Sequence, residues 1–213
     1  MIVSRGRRYI FVHIPKTGGT SMALALEARA MKDDILIGDT PKAQRRKGRL
    51  KGLTSAGRLW KHSTLADLDG VVSGTEMDGM RVFTLIRNPW DRLVSYYHWL
   101  RAQEFDHDAV TLARTHDFAG FLRHPHTMAS LKAWPYGRYV RDLTGAERPA
   151  LFLRLEQLDK DMAPLAAHLG FTPDLPHVNR SDRGDYRDHY DAALADHVAD
   201  LCAQDIARFG YTF

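Results

Sequence analysis

Cysteine is nearly missing from this chain. Cys202 is the only one among 213 residues, so no internal disulfide can form, which fits a reducing compartment. Long apolar runs are missing as well. Residues 9–14 are mostly apolar, but Pro15 and Lys16 interrupt them. The run is too short for the apolar core of a secretory signal. No stretch approaches the roughly 20 apolar residues of a membrane span. The expectation is a cytoplasmic protein without a transmembrane segment. A large charge of one sign is also lacking. The formal net charge is +4, which does not indicate a general nucleic-acid binder. Acidic residues are nevertheless locally scarce: none stands between Asp39 and Asp67, where Lys42, Arg45, Arg46, Lys47, Arg49, Lys51, Arg58 and Lys61 fall.

The length suits one globular domain, residues 1–213, with a sizeable core. Residues 9–14 are rich in β-branched and aromatic side chains and read as a buried strand. Gly18 and Gly19 follow, and residues 20–30 read as a helix. Residues 35–38 suggest a second short strand. The basic segment 40–60, with Gly48, Gly52 and Gly57 at no clear period, predicts a loop open to motion. Ser63 is placed to cap a short helix through residue 68. Residues 81–86 form a clear strand pattern. Asn88 is a good N-cap and Pro89 a good first helical residue for a helix to about residue 103. Residues 104–150 read as irregular, with a short helix at 117–123. Residues 151–155 read as a strand, followed by a helix from about 161 to Gly170. A last helix is expected over 191–209. Strands alternating with helices imply an α/β fold, a single domain whose central, mostly parallel sheet is flanked by helices. Ligands of such sheets sit beyond the carboxyl ends of the strands.

Two segments occupy that kind of position. The first is Pro15-Lys16-Thr17-Gly18-Gly19-Thr20-Ser21, between a strand and a helix. Glycines let the backbone turn its N–H groups inward, and a helix N-terminus adds free N–H groups and partial positive charge. Thr17, Thr20 and Ser21 supply hydroxyls and Lys16 a full charge, a set that suits a phosphate or sulfate. The pattern is not a Walker A sequence, in which the Lys follows the glycines. The second segment begins at Arg87, where the strand 81–86 ends. Many nucleotide hydrolases place a magnesium-binding Asp on a neighbouring strand end; an Arg there binds anions directly. Ser95 lies seven residues past Asn88, about two helical turns, on the same helix face. Whether that face meets a ligand does not follow from spacing. Arg92 and Arg101 either serve the same anion or face solvent.

With these residues in view, the chain resembles the sulfotransferases that use 3′-phosphoadenosine-5′-phosphosulfate (PAPS). Residues 15–21 are similar to their 5′-phosphosulfate loop. Leu85-Ile-Arg-Asn-Pro-Trp-Asp-Arg-Leu-Val-Ser-Tyr-Tyr97 is similar to their 3′-phosphate segment. The likeness is to the branch with carbohydrate 2-O-sulfotransferases and small bacterial members. It extends to Leu151-Phe-Leu-Arg-Leu-Glu-Gln-Leu158, Leu175-Pro-His-Val-Asn-Arg-Ser181 and Asp205-Ile-Ala-Arg-Phe-Gly-Tyr211. The resemblance implies a P-loop-like fold, PAPS as sulfuryl donor, an acceptor hydroxyl or amine, and no required metal. It implies that Lys16 stabilises charge on the leaving phosphate. It also implies that the amides of Thr17, Gly18, Gly19 and Thr20 hold the 5′ group, with Ser21 beside them. It implies further that Arg87 and Ser95 bind the 3′-phosphate, and Arg183 is a further phosphate-binding candidate.

The acceptor must lose a proton, and histidine has a suitable pKa for that. His62 precedes the 81–86 strand in the place of the base histidine of the 2-O-sulfotransferases. His13 lies within a strand, where an ordinary core role competes with the catalytic one. Glu27, Glu76 and Glu156 are weaker candidates, and Glu156 suits pairing with an arginine. The basic segment ending at His62 is suited to guide an anionic glycan or lipid acceptor, although a merely solvated loop explains it as well. Two other readings are a nucleotide-dependent kinase or hydrolase of related fold, and a non-catalytic anion- or glycan-binding protein.

Overall fold

The computed structural model describes residues 1–176 and 184–213. These residues cluster into two compact units: Met1–Ile86 with the described part of Tyr136–Asn179, and Arg87–Pro135 with the described part of Arg180–Phe213.

The first unit holds one five-stranded sheet. Its strands are β1 (Ile2–Ser4), β2 (Tyr9–Val12), β3 (Ile35–Leu36), β4 (Arg81–Ile86) and β5 (Ala150–Arg154), in the spatial order β3-β1-β2-β4-β5. The pairs β2–β4 and β4–β5 are parallel, while β1 runs antiparallel to both β2 and β3. Four strands therefore point one way and β1 opposes them. The sheet is mixed, and β1 has no counterpart in the sequence reading. Its three residues are too few to show a period, and it is a strand because neighbours on both sides bury it completely. In the register, Phe11 stands opposite Phe83, and their rings stack with centroids 5.2 Å apart. Such a pair contributes about 0.5–1.5 kcal/mol beyond the area it buries. Met22, Leu26, Leu153 and Leu165 complete the surrounding core.

Helix α1 (Gly19–Ala28) follows β2, and α2 (Pro41–Arg46) and α3 (Gly74–Asp78) lie between β3 and β4. The segment read as an open loop is helical over its first half. Thr40 caps α2 by accepting from the Ala43 amide, Pro41 takes the first turn, and a 3-10 turn continues over Lys47–Leu50. Ser63 does not cap a helix. It is buried and its hydroxyl bonds to the main chain of Arg58 and Trp60, and only a 3-10 turn forms at Ala66–Leu68. After β5 come α8 (Leu158–Asp161) and α9 (Ala163–Leu169), closed by Gly170 in the left-handed region.

The second unit is helical. It comprises α4 (Pro89–Arg101), α5 (Asp108–Thr115), α6 (Phe118–Arg123), α7 (Pro125–Ala133), α10 (Ala192–Leu201) and α11 (Ala203–Phe209). Asn88 caps α4 through a 3.1 Å bond from the Trp90 amide. Helices α5 and α7 stand where irregular chain is expected, because His107 and His124 serve as N-caps and Pro125 opens α7. The expected last helix is two, interrupted at Cys202, which has φ −108° and ψ 16°. Trp90, Leu93, Tyr97, Phe121, Leu194 and Val198 form this unit's own core.

Candidate active site

The glycine loop begins where β2 ends. Lys16 has φ 65° and Gly18 φ 84°, both left-handed. For a lysine that conformation costs roughly 1–2 kcal/mol, and left-handed residues in a turn curl the chain so that amides face inward. The Thr17 side chain is buried, and its hydroxyl donates to the Ile14 carbonyl at 2.9 Å. Thr17 therefore braces the loop with its hydroxyl, while Thr20 and Ser21 are both partly exposed. The amides of Gly19, Thr20 and Ser21 open α1 and have no acceptor within the helix. Torsion requires a glycine at 18, and space disfavours a side chain at both positions. A Cβ at Gly18 would stand 2.9 Å from Leu155 Cδ1, and one at Gly19 would stand 2.0 Å from His13 Cδ2.

His13 thus packs its ring beneath the loop. It is 6% exposed, and burial, with His62 beside it, holds its pKa well below the ordinary histidine value. The His62 ring meets it edge-on, centroids 4.6 Å apart. Nδ1 of His62 lies 2.8 Å from the His13 carbonyl oxygen. A carbonyl only accepts, so Nδ1 carries the proton and Nε2 keeps its lone pair in the neutral ring. Burial lowers the His62 pKa to about 4, opposed in part by that hydrogen bond. The imidazole is therefore neutral near pH 7 and fixed in the tautomer that a general base needs. Trp60, 44% exposed, stands edge-on to His62 at 5.1 Å.

In the second unit, Arg87 is mostly buried and forms an ion pair with Asp91, four residues on, with Nε–Oδ2 at 2.7 Å and the second guanidinium nitrogen at 2.6 Å. Asp91 so fixes the direction of the guanidinium. Ser95 is 9% exposed, one turn further along α4. The Asn88 side chain, besides capping α4, donates to the Thr212 carbonyl at 2.9 Å.

The remaining candidates take other parts. Glu27 is buried in α1 and accepts from the Thr40 hydroxyl; burial raises its pKa. Glu76 pairs with Arg5 at 2.6 Å. Glu156 lies exposed in the turn after β5, while the arginine of that strand, Arg154, pairs with Asp161. Arg92 is partly buried on α4, and Arg101 lies over the Tyr97 ring at 5.5 Å. Arg183 is outside the described residues. The basic segment divides in two. Lys42, Arg46 and Arg49 donate to the carbonyls of Glu27, Met31 and Lys32, and Lys61 pairs with Asp39 at 2.5 Å. Arg45, Lys47, Lys51 and Arg58 are exposed. Sequence reasoning missed Asp91 and Trp60. The signal for Asp91 was its i+4 spacing from Arg87; Trp60 had none beyond standing two residues before His62.

No curated protein matches the chain at a significant level. Among solved structures, one similar to it is the crystal structure of mouse sulfotransferase SULT7A1 complexed with PAP. The two are 16% identical with a TM-score of 0.53, over 96% of this chain and 85% of that one, a likeness of fold. The sequence matches the Sulfotransferase family over residues 1–211, which does not favour the kinase or hydrolase reading. With the match covering the glycine loop, the Arg87 segment and the strands that carry them, the chain belongs to the sulfotransferase family, enzymes that take a sulfuryl group from PAPS.

Proposed function

We propose that residues 15–21 hold the 5′-phosphosulfate of PAPS, that Arg87 and Ser95 hold its 3′-phosphate, and that His62 removes the proton from an acceptor hydroxyl. The observation that carries this reading is the unprotonated Nε2 of His62, on a ring fixed to the main chain that leads into the glycine loop. The acceptor oxygen attacks sulfur and forms the new S–O bond. The bond from sulfur to the 5′-phosphate oxygen breaks, the proton passes to His62 Nε2, and 3′-phosphoadenosine 5′-phosphate (PAP) leaves. Lys16 and the amides at the start of α1 offset the charge growing on the departing phosphate. A positioned base contributes typically 10²–10⁴-fold, and alignment of donor and acceptor contributes more. The PAP bound in the mouse relative supports a donor of this kind.

The acceptor is an anionic glycan or lipid. Exposed Arg45, Lys47, Lys51 and Arg58 face no acidic residue between Asp39 and Asp67 and support that choice. The place of action is the cytoplasm; among the described residues, no helix is long and apolar enough to cross a membrane. Calorimetry with PAP tests the reading. Wild type should bind, and Lys16→Ala and Arg87→Ala should each weaken binding at least about tenfold. Equal affinity in all three proteins would refute it.

A further inference from the structure

A cavity of about 700 Å³ lies in the first unit away from the glycine loop. The sheet register places it. Ser4 pairs with Tyr9, the first residue of β2, whereas the glycine loop follows Val12, the last. Arg5 comes directly after Ser4 and lines the cavity, as do Asp34 and Ile35 at the start of β3. The cavity therefore opens at the amino-terminal end of β2, and the loop stands at the carboxyl end.

Its wall is two-sided. Leu36, Leu50 and Leu53 give an apolar surface, and Arg46 and Arg49 give charge. Those two guanidinium groups donate to the carbonyls of Met31 and Lys32, which fixes their position without neutralising them. Neither has an ion-pair partner among the described residues, whereas Arg5 is matched by Glu76. Asp34 offers little of its carboxylate to the cavity: it is 1% exposed, and its Oδ2 accepts from the Met31 amide at 2.8 Å.

We propose that this cavity binds an amphipathic organic anion. Its acidic group lies on Arg46 and Arg49, and its hydrocarbon covers Leu36, Leu50 and Leu53. The volume falls in the usual range of small-molecule sites. The wall has more cationic than anionic side chains, which selects an anion over an ammonium.

The test is calorimetry on the full chain with three eight-carbon probes: octanoate, octan-1-ol and octylammonium. Octanoate should bind best, and the alcohol and the amine at least about tenfold more weakly. The double variant Arg46→Gln with Arg49→Gln, and the cavity-filling Leu53→Trp, should each lose at least about tenfold in affinity for octanoate. A wild-type measurement covers the case in which a variant misfolds: amide chemical shifts on titration with octanoate should move in residues 32–36 and 46–53 and stay unchanged in residues 15–21. Absence of binding, equal binding of octan-1-ol, full affinity in a folded variant, or shifts centred on the glycine loop would overturn the proposal.

Discussion

His62 is tied to the main chain of His13: its Nδ1 donates to the His13 carbonyl oxygen across 2.8 Å, between residues 49 apart in sequence. One hydrogen bond thereby sets the tautomer of the proposed base and holds it against the chain that enters the donor loop. Replacing His62 by Ala should lower kcat about 10²–10⁴-fold and leave PAP affinity nearly unchanged. The acid limb of the wild-type kcat/KM profile should fall near 4, not near the ordinary histidine value. Steady-state rates across pH, with PAP calorimetry on the variant, check both. A variant of full rate ends the assignment.

The same shift bears on stability. The folded His62 has a depressed pKa of about 4 against 6.5 for an ordinary histidine, so the unfolded chain binds the proton more readily. Its contribution is full above about pH 6.5, declines as pH falls below that, and is gone once pH passes through about 4. His13 acts in the same direction. Because His62 is partly exposed, about 1–2 kcal/mol is the expected loss. Urea unfolding at pH 7 and pH 4.5 should show a larger drop for wild type than for His62→Gln; parallel drops would count against it.

Gly19 and His13 compete for one volume. Gly19→Ala should cost about 1–3 kcal/mol, because the ring at 2.0 Å has to move. Adding His13→Ala should return part of that loss, a coupling that a double-mutant cycle by denaturant unfolding measures. Additive effects would show that the two residues do not meet.

Arg87 owes its direction to Asp91. Arg87→Ala should weaken PAP about 10–100-fold, and Arg87→Lys should recover little, since an ammonium cannot present two parallel N–H groups. Asp91→Ala should weaken PAP by a smaller factor, about 2–10-fold, by loosening the guanidinium. Isothermal titration distinguishes the three. A lysine variant with wild-type affinity would mean that charge alone is recognised.

What was legible in the sequence was local. The glycines at 18 and 19, Asn88 before Pro89 and Gly170 after α9 act within one or two turns of chain, and each stands where expected. Helix α2 was obscured because Gly48, Gly52 and Gly57, at no clear period, suggest a loop, and the Thr40-Pro41 cap that starts it went unread. Strand β1 was hidden because three residues carry no period, and pairing on both edges makes it a strand.

The chain order by itself determined the family, the glycine loop and the capped helix after Arg87, since each rests on neighbours only a few residues apart. Tertiary structure alone decided that Thr17 turns its hydroxyl inward to Ile14, that His13 fills the space a side chain at Gly19 would need, and that His62 presents Nε2 as its unprotonated nitrogen. Packing and main-chain hydrogen bonds between distant segments fix these features, and no short-range pattern encodes them.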